Sequence, residues 1–216
     1  DIVDSQGGIA FFGAHNMPIS TYIRFLNLIL GEAEISLYID GQRYFSGMTY
    51  GAFSSYTSMP PGIYSVALYR AGEYGRPIAE ATESLSVGNS ITLVATGAAG
   101  NIKVYQIPEP YMAPAVSLRS SLRVVNLSKE GLALDGWLSN GGKVFSNVHY
   151  TELSPYARLQ PNVYTVTITA AGTGETVAVA ENIYLEPGKM YSLYIVPSAD
   201  GGSFDALFVA DGEVAK

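Results

Sequence analysis

The sequence contains no cysteine, so disulfides, thiolate metal sites and cysteine nucleophiles are all excluded. Histidine, the commonest general base, occurs only twice, at His15 and His149. With so few ligands of that kind, no transition-metal centre is expected. Basic side chains are also scarce: 12 Lys and Arg stand against 19 Asp and Glu, for a net charge of −7. Both halves share the acid excess, with 5 basic and 9 acidic residues in 1–110 and 7 and 10 in 111–216. No Lys/Arg stripe is available to release counterions from a phosphate backbone, so nucleic acid is not expected as a partner. Anionic membrane surfaces are disfavoured for the same reason. No apolar run approaches the roughly 18–20 residues that span a bilayer, and stretches such as Ile9-Ala10-Phe11-Phe12 are far shorter. The sequence opens at Asp1 rather than Met, which is compatible with a removed export signal.

What is present is apolar, small and turn-forming. Apolar residues make up 48% and charged residues only 14%, against a usual charged share of about a quarter. The surface must therefore be covered by Ser, Thr, Tyr, Asn and Gly, a composition that suits exposed β-sheet faces better than charged helices. Gly (23) and Pro (11) recur along the chain and predict frequent turns.

The chain repeats itself with a shift of about one hundred residues. Arg24-Phe25-Leu26-Asn27-Leu28 falls on Arg123-Val124-Val125-Asn126-Leu127. After one inserted residue, Phe45-Ser46 falls on Phe145-Ser146, Tyr50 on Tyr150, Tyr56 on Tyr156 and Pro61 on Pro161. Tyr64, Val66, Ala71-Gly72, Leu85, Gly88 and Leu93 all have counterparts in the same register. That period is the size of a whole domain, not of a solenoid unit. The expected organisation is an N-terminal arm (1–20), a first copy (21–110), a Pro-containing linker (111–120) and a second copy (121–216). The three prolines of Ile107 to Pro114 favour an extended, semi-rigid spacer.

Each copy reads as short strands between turns. Tyr22 to Leu28 and Leu122 to Leu127 are β-rich, and alternating Ile35 to Ile39 meets Asp40-Gly41, a strong hairpin signal echoed by Asn140-Gly141. Pro61-Gly62 and Pro161-Asn162 launch long strands, and Ile91 to Thr96, Tyr191 to Val196, Ile102 to Ile107 and Phe204 to Val209 complete the pattern. Six to eight strands per copy, with no helical period, predict an all-β fold: two tandem β-sandwiches, immunoglobulin-like or transthyretin-like.

No nucleophile elbow, phosphate loop or zinc-protease helix occurs, and no catalytic residue, cofactor or metal site is assigned. His15 and His149 fall outside the shared framework and read as exposed strand-end residues. Asp200 to Asp205 has two carboxylates and reads as a hairpin loop rather than a calcium loop. Glu32 and Glu34 are expected as neighbours on one sheet face, as solvated charges at a strand start; the second copy has Gly131 and Ala133 there. Asn126-Leu127-Ser128 forms an incidental glycosylation sequon. The 16 tyrosines remain. Those repeated in both copies are expected to be structural, and those present once, Tyr44 and Tyr74 among them, are the candidate surface-binding residues. An exposed phenol offers a sugar ring or a protein partner apolar area and one hydrogen bond. Trp137 is read as a core residue.

The run Tyr22 to Leu28, then Leu37-Tyr38-Ile39-Asp40-Gly41, Phe45, Tyr50 to Tyr56 and Pro61-Gly62-Ile63-Tyr64, resembles a bacterial family known as domain of unknown function 4397. The resemblance covers nearly all of 21–107 and, more loosely, 121–210. The family's usual Ser-Pro-Asp-Ala-Pro stretch is here Ile29 to Ala33, and Ser128 to Leu132 in the second copy. The resemblance implies tandem β-sandwich modules in an extracytoplasmic, cell-surface or secreted setting, and it supplies no catalytic residues. The expected function is a non-enzymatic structural or binding module of the bacterial cell envelope, with an envelope polysaccharide or a surface protein as partner. The alternative is a carbohydrate-binding module that uses exposed tyrosines, with Trp137 as a further candidate contact should it lie outside the core.

Overall fold

The computed structural model describes residues 20–88, 90–109 and 118–212. Most of the N-terminal arm and most of the linker lie outside the described residues. The first repeat holds β1 (Thr21–Leu30), β2 (Ile35–Ile39), β3 (Gln42–Met48), β4 (Thr57–Met59), β5 (Gly62–Arg70), β6 (Ala79–Leu85), β7 (Ser90–Ala98) and β8 (Asn101–Glu109). The second holds β9 (Ser120–Asn126), β10 (Leu134–Leu138), β11 (Lys143–Val148), β12 (Ala157–Leu159), β13 (Asn162–Ala170), β14 (Thr176–Leu185), β15 (Met190–Pro197) and β16 (Phe204–Ala210). The described residues contain no helix, and hence none long and apolar enough to cross a membrane.

The fold is all-β, and each repeat is a sandwich of two four-stranded sheets. The orders are β4-β1-β7-β8 and β3-β2-β5-β6 in the first repeat, and β12-β9-β15-β16 and β11-β10-β13-β14 in the second. β1 runs parallel to β7 from Tyr22↔Ser90 to Leu30↔Ala98, and β9 runs parallel to β15 in the same way. That order differs from the ABED/CFG arrangement of immunoglobulin constant domains. Of the two sandwiches the sequence leaves open, the transthyretin-like one remains. Inside the first sandwich, Ile23, Phe25, Ile35, Leu37, Val66, Leu68 and Leu93 interdigitate. Leu122, Val124, Leu134, Val166, Ile168, Leu193 and Ile195 do so in the second.

Repeated polar residues fix the same local geometry twice. Asn27 donates its side-chain amide to the Met48 carbonyl and Asn126 donates to Val148, tying the end of the first strand to the end of the third. Asn126 is fully buried, so its sequon is structural and offers no acceptor at the surface. Ser54 and Ser154 accept the backbone N–H of Phe25 and Val124. Tyr64 and Tyr164 each donate, at 2.6 Å, to the carbonyl four residues back and close the turn before the long strand. The inserted residue falls in a hairpin. Asp40 and Gly41 take positive φ (48° and 77°) in a two-residue primed turn, whereas residues 139–142 join β10 to β11.

Two expectations change here. Ile107–Glu109, read as the start of an extended spacer, is the end of β8, with Pro108 opposite Ile91 on an edge strand where its missing N–H costs no ladder bond. Glu32 and Glu34 do not share a sheet face: they lie in the β1–β2 connection, and Glu32 grips Arg70 through two hydrogen bonds of 2.7 and 2.9 Å.

Candidate functional site: the seam between the repeats

β1 and β9 are buried on both faces, which is why they read as near-continuous apolar runs. Ile23, Phe25 and Ile29 enter the sandwich core, while Leu26 and Leu28 join a third cluster made by both repeats. That cluster comprises Leu26, Leu28, Val94 and Ile107 from the first repeat and Val125, Leu127, Tyr194 and Val196 from the second. The two parallel-containing sheets thus lie face to face, and four sheets stack across the molecule. Each fully buried apolar side chain contributes about 1.5–3 kcal/mol, so these eight residues supply the seam's driving force. Buried ion pairs are close to neutral by comparison and act on register.

At the centre of the seam are two equivalent charged clusters. Arg24, Arg123, Glu109 and Asp211 are only 3, 4, 2 and 1% exposed, which seals four charges from solvent. Arg24 donates Nε to Thr92 Oγ1 at 2.8 Å, and Arg123 donates Nε to Ser192 Oγ at 2.7 Å. The next bonds cross between repeats: Arg24 Nη1 reaches the Ala210 carbonyl at 2.7 Å, and Arg123 Nη1 reaches the Pro108 carbonyl at 2.9 Å. Ala210 and Pro108 are counterparts, each one residue before the carboxylate of its own cluster. Tyr56 donates to Glu109 and Tyr156 donates to Asp211, and each phenol ring lies 4.7 Å from its arginine. The contacts are reciprocal, as in a two-fold homodimer interface, although both halves belong to one chain.

The symmetry fails by one methylene. Glu109 reaches Arg24 Nη2 at 2.9 Å, and Asp211 also reaches that nitrogen at 3.1 Å. Asp211 stays 3.8 Å from Arg123 Nε, and Arg123 Nη2 has no hydrogen-bond partner among the described residues. Tyr56 further accepts the Gly212 N–H at 2.9 Å. At the matched position in the sequence the first repeat has Pro110, whose nitrogen carries no hydrogen. Burial raises the pKa of Tyr56, Tyr156 and Tyr194 well above the usual phenol range, and the neighbouring carboxylates raise it further. Tyr194 is sealed in, whereas Tyr56 and Tyr156 are half-buried, and Tyr156 lines a hollow of about 380 Å³ with Val144, Phe145 and Pro155.

The two ends of the seam differ. At one end Tyr50 donates to the Pro197 carbonyl at 2.5 Å, and Leu207 lies against the Gly51 backbone. Burial, with a smaller push from Asp205, raises the Tyr50 pKa to about 12. At the other end Tyr150 hydrogen-bonds Tyr105, and its pKa is raised by burial first and by Tyr105 second. There a cleft of about 440 Å³ opens between Lys103 and Tyr105 of β8 and Glu130, His149, Tyr150 and Thr151 of the second repeat. A second hollow of about 300 Å³ shares Lys103, Glu130 and Tyr150 and adds Asn101 and Lys129. Gly97, at φ 102°, permits the turn beside it: a Cβ there would sit 2.3 Å from the Asn101 carbonyl oxygen.

The residues singled out from sequence fall elsewhere. Tyr74 is 69% exposed in the β5–β6 connection, whereas Tyr44 on β3 is half-buried against the first core. No ring contact or hydrogen bond joins the two among the described residues. His149 lines the cleft, with Nε2 3.1 Å from the Asn147 side-chain amide; His15 lies outside the described residues. Asp200 accepts Ser198 Oγ and the Gly202 N–H inside the β15–β16 hairpin. Trp137 is not a core residue: it is half-buried on the outer sheet face, donates to Thr169 Oγ1 at 3.0 Å and lies under Lys143 Nζ at 4.9 Å. Among the described residues no group of three or more His, Asp or Glu is placed to hold a metal ion. Sequence reasoning matched Arg24 with Arg123 but missed their role, although an arginine inside an apolar strand in both copies was the available signal. It also missed Lys103, Tyr105, Glu130 and Thr151, which differ between the copies at matched positions.

A tandem β-sandwich with an arginine–carboxylate seam defines the architecture. The sequence matches the family described as Domain of unknown function (DUF4397) over residues 21–137 and again over 120–216, and the chain belongs to that family. Among solved structures, the chain is similar to the Bacillus anthracis TIE protein at 15% identity and a TM-score of 0.25, covering 87% of this chain and 34% of that one. It thus spans about a third of that protein's length. The fimbrial anchor protein Mfa2 from Porphyromonas gingivalis is similar at 10% identity and a TM-score of 0.27, covering 90% of this chain and 98% of the other. Curated protein sequences give no match.

Proposed function

We propose that the chain is a non-catalytic binding module of the bacterial cell envelope, in which two fused sandwiches act as one rigid body. One observation carries this reading: the carboxylates Glu109 and Asp211, with Arg24 and Arg123, are buried between the repeats and engaged with each other. Glu109 and Asp211 are almost wholly inaccessible and held by Arg24, so neither is available as an acid, base or nucleophile. A buried cluster of this kind serves registry between packed elements. The surface is rich in hydroxyl and phenol groups and poor in charge, which suits saccharide or protein partners rather than nucleic acid. The family resemblance favours an extracytoplasmic, cell-surface or secreted setting. The partner is an envelope polysaccharide or a surface protein.

Co-sedimentation of the full chain with purified peptidoglycan and envelope polysaccharides tests the reading. Saturable binding to one polymer is expected. Turnover of any of these polymers, lost on changing one named side chain, would contradict it. Absence of binding to all of them would leave only a protein partner, to be sought by crosslinking at the cell surface. Tyr44→Ala and Tyr74→Ala decide between the seam cleft and a tyrosine platform: binding lost with these two changes locates the contact on the first repeat's outer surface.

A further inference from the structure

The Tyr50 and Tyr150 sides of the seam are built from equivalent strands, and a cleft opens on the Tyr150 side. The positions matched to Lys129, Glu130, His149, Thr151, Lys103 and Tyr105 carry Leu30, Gly31, Thr49, Gly51, Asp205 and Leu207, and Leu30 itself lines the second hollow. Tyr50 and Tyr150 are retained, as are Leu28 and Leu127 in the second hollow. Leu30, Gly31, Gly51 and Leu207 are small or apolar where their counterparts are ionic, polar or aromatic, and Asp205 carries the opposite charge to Lys103, so the cleft lining is a feature of one repeat against the other. Its volume of about 440 Å³ lies in the range of small-molecule pockets. Two of the chain's five lysines, Lys103 and Lys129, border the joined hollows of a protein whose net charge is −7. Neither lysine forms an ion pair among the described residues, and Glu130 forms none either.

We propose that this cleft binds an acidic saccharide unit, one that carries a carboxylate on a pyranose ring. The proposal rests on the binding-module reading and names its site and ligand class. Lys103 borders both hollows and Lys129 the second one, where its ammonium also lies 5.9 Å from the Phe204 ring; the two ammonium groups meet the carboxylate, since a compact cation pairs with an anion from several directions. Tyr105 and Tyr150 offer ring faces to the apolar side of the sugar. Glu130, His149 and Thr151 accept from and donate to its hydroxyls. An uncharged or apolar ligand would leave both lysines without a counter-charge.

The test is titration of the isotope-labelled full chain with tetragalacturonate, with maltotetraose as the neutral control, followed by amide chemical shifts. Saturable shifts confined to 101–105, 128–132 and 149–151 are expected with the acidic sugar. Lys103→Ala and Lys129→Ala should each weaken binding about tenfold, the loss of one charge-assisted contact. Maltotetraose should bind at least tenfold more weakly. Both lysines are exposed, so their removal leaves the folded spectrum intact. Shifts centred elsewhere, or equal affinity for the neutral sugar, overturn the cleft while leaving a binding module standing. No shifts with either sugar, alongside co-sedimentation with a polysaccharide that Lys103→Ala leaves unchanged, also overturns the cleft alone. No shifts and no co-sedimentation overturn both.

Discussion

The cluster around Arg24 and the cluster around Arg123 are the same device at two stages of completion. In the first, all three guanidinium nitrogens donate, to Thr92, Ala210, Glu109 and Asp211. Among the described residues the second donates through Nε and Nη1, to Ser192 and Pro108, and its Nη2 has no partner. One difference in side-chain length, Glu109 against Asp211, accounts for this. The longer carboxylate serves its own arginine, and the shorter one leans across the seam to the other. The two clusters are thus symmetric in layout and directional in their ion pairs.

The comparison is broken most directly by removing each arginine. Arg24→Met strands two sealed carboxylates and should cost about 3–5 kcal/mol, the usual penalty for an uncompensated buried charge. Arg123→Met should cost less, about 1–3 kcal/mol, because it gives up two hydrogen bonds and a nitrogen with no partner among the described residues. Urea unfolding at neutral pH measures both, and the reverse order would contradict the assignment of Arg24 as the central residue.

Alkaline pH attacks the same seam from the tyrosine side. A folded-state pKa raised above the unfolded value gives stability that is complete below the unfolded pKa and lost as pH rises through the folded one. The unfolded phenol titrates near pH 10 and Tyr50 near pH 12 when folded. Urea midpoints should therefore be level up to about pH 10 and fall steeply between about pH 10 and 12. Tyr56, Tyr156 and Tyr194 are raised as well and prolong the fall. Tyr50→Phe should flatten the first part of it. A midpoint that stays constant to pH 12 would mean that water reaches these phenols.

Tyr56→Phe and Tyr156→Phe separate the clusters more finely. Each leaves a buried carboxylate oxygen without its phenol donor, at about 1–3 kcal/mol. The loss should be larger for Tyr56, which also holds the Gly212 N–H. The smallest effect belongs to the exterior: Lys143→Ala removes a partly exposed pair with Asp135 and should cost under about 1 kcal/mol. It should still alter the emission of Trp137, whose ring lies beneath the Lys143 ammonium.

Much of the architecture was legible from the chain alone. Strands with exposed turns and hairpin chemistry, such as Ile35–Ile39 with Asp40-Gly41, were read correctly because local conformational preference and burial agree there. β6 was missed because Ala79–Leu85 carries Ala and Glu in place of branched residues. β4 and β12, three residues each, are too short to show a period. The seam was hidden for another reason: a strand buried on both faces loses its alternation, so Leu26 and Val125 looked like ordinary core. Repetition of Tyr50, Tyr56 and Tyr64 did mark structural tyrosines, each now with a named backbone or carboxylate acceptor. The cleft residues were visible only as mismatches between the copies, and mismatches acquire meaning once the seam places them side by side.

That the two repeats form one cooperative body is tested most directly by unfolding the full chain in urea with one probe in each repeat. Trp137, the only tryptophan, reports the second repeat through its fluorescence, and amide cross-peaks of β1 and β5 report the first. The seam predicts a single transition with coincident midpoints. Two separated transitions, with the first repeat melting while Trp137 still reports a native environment, would contradict it.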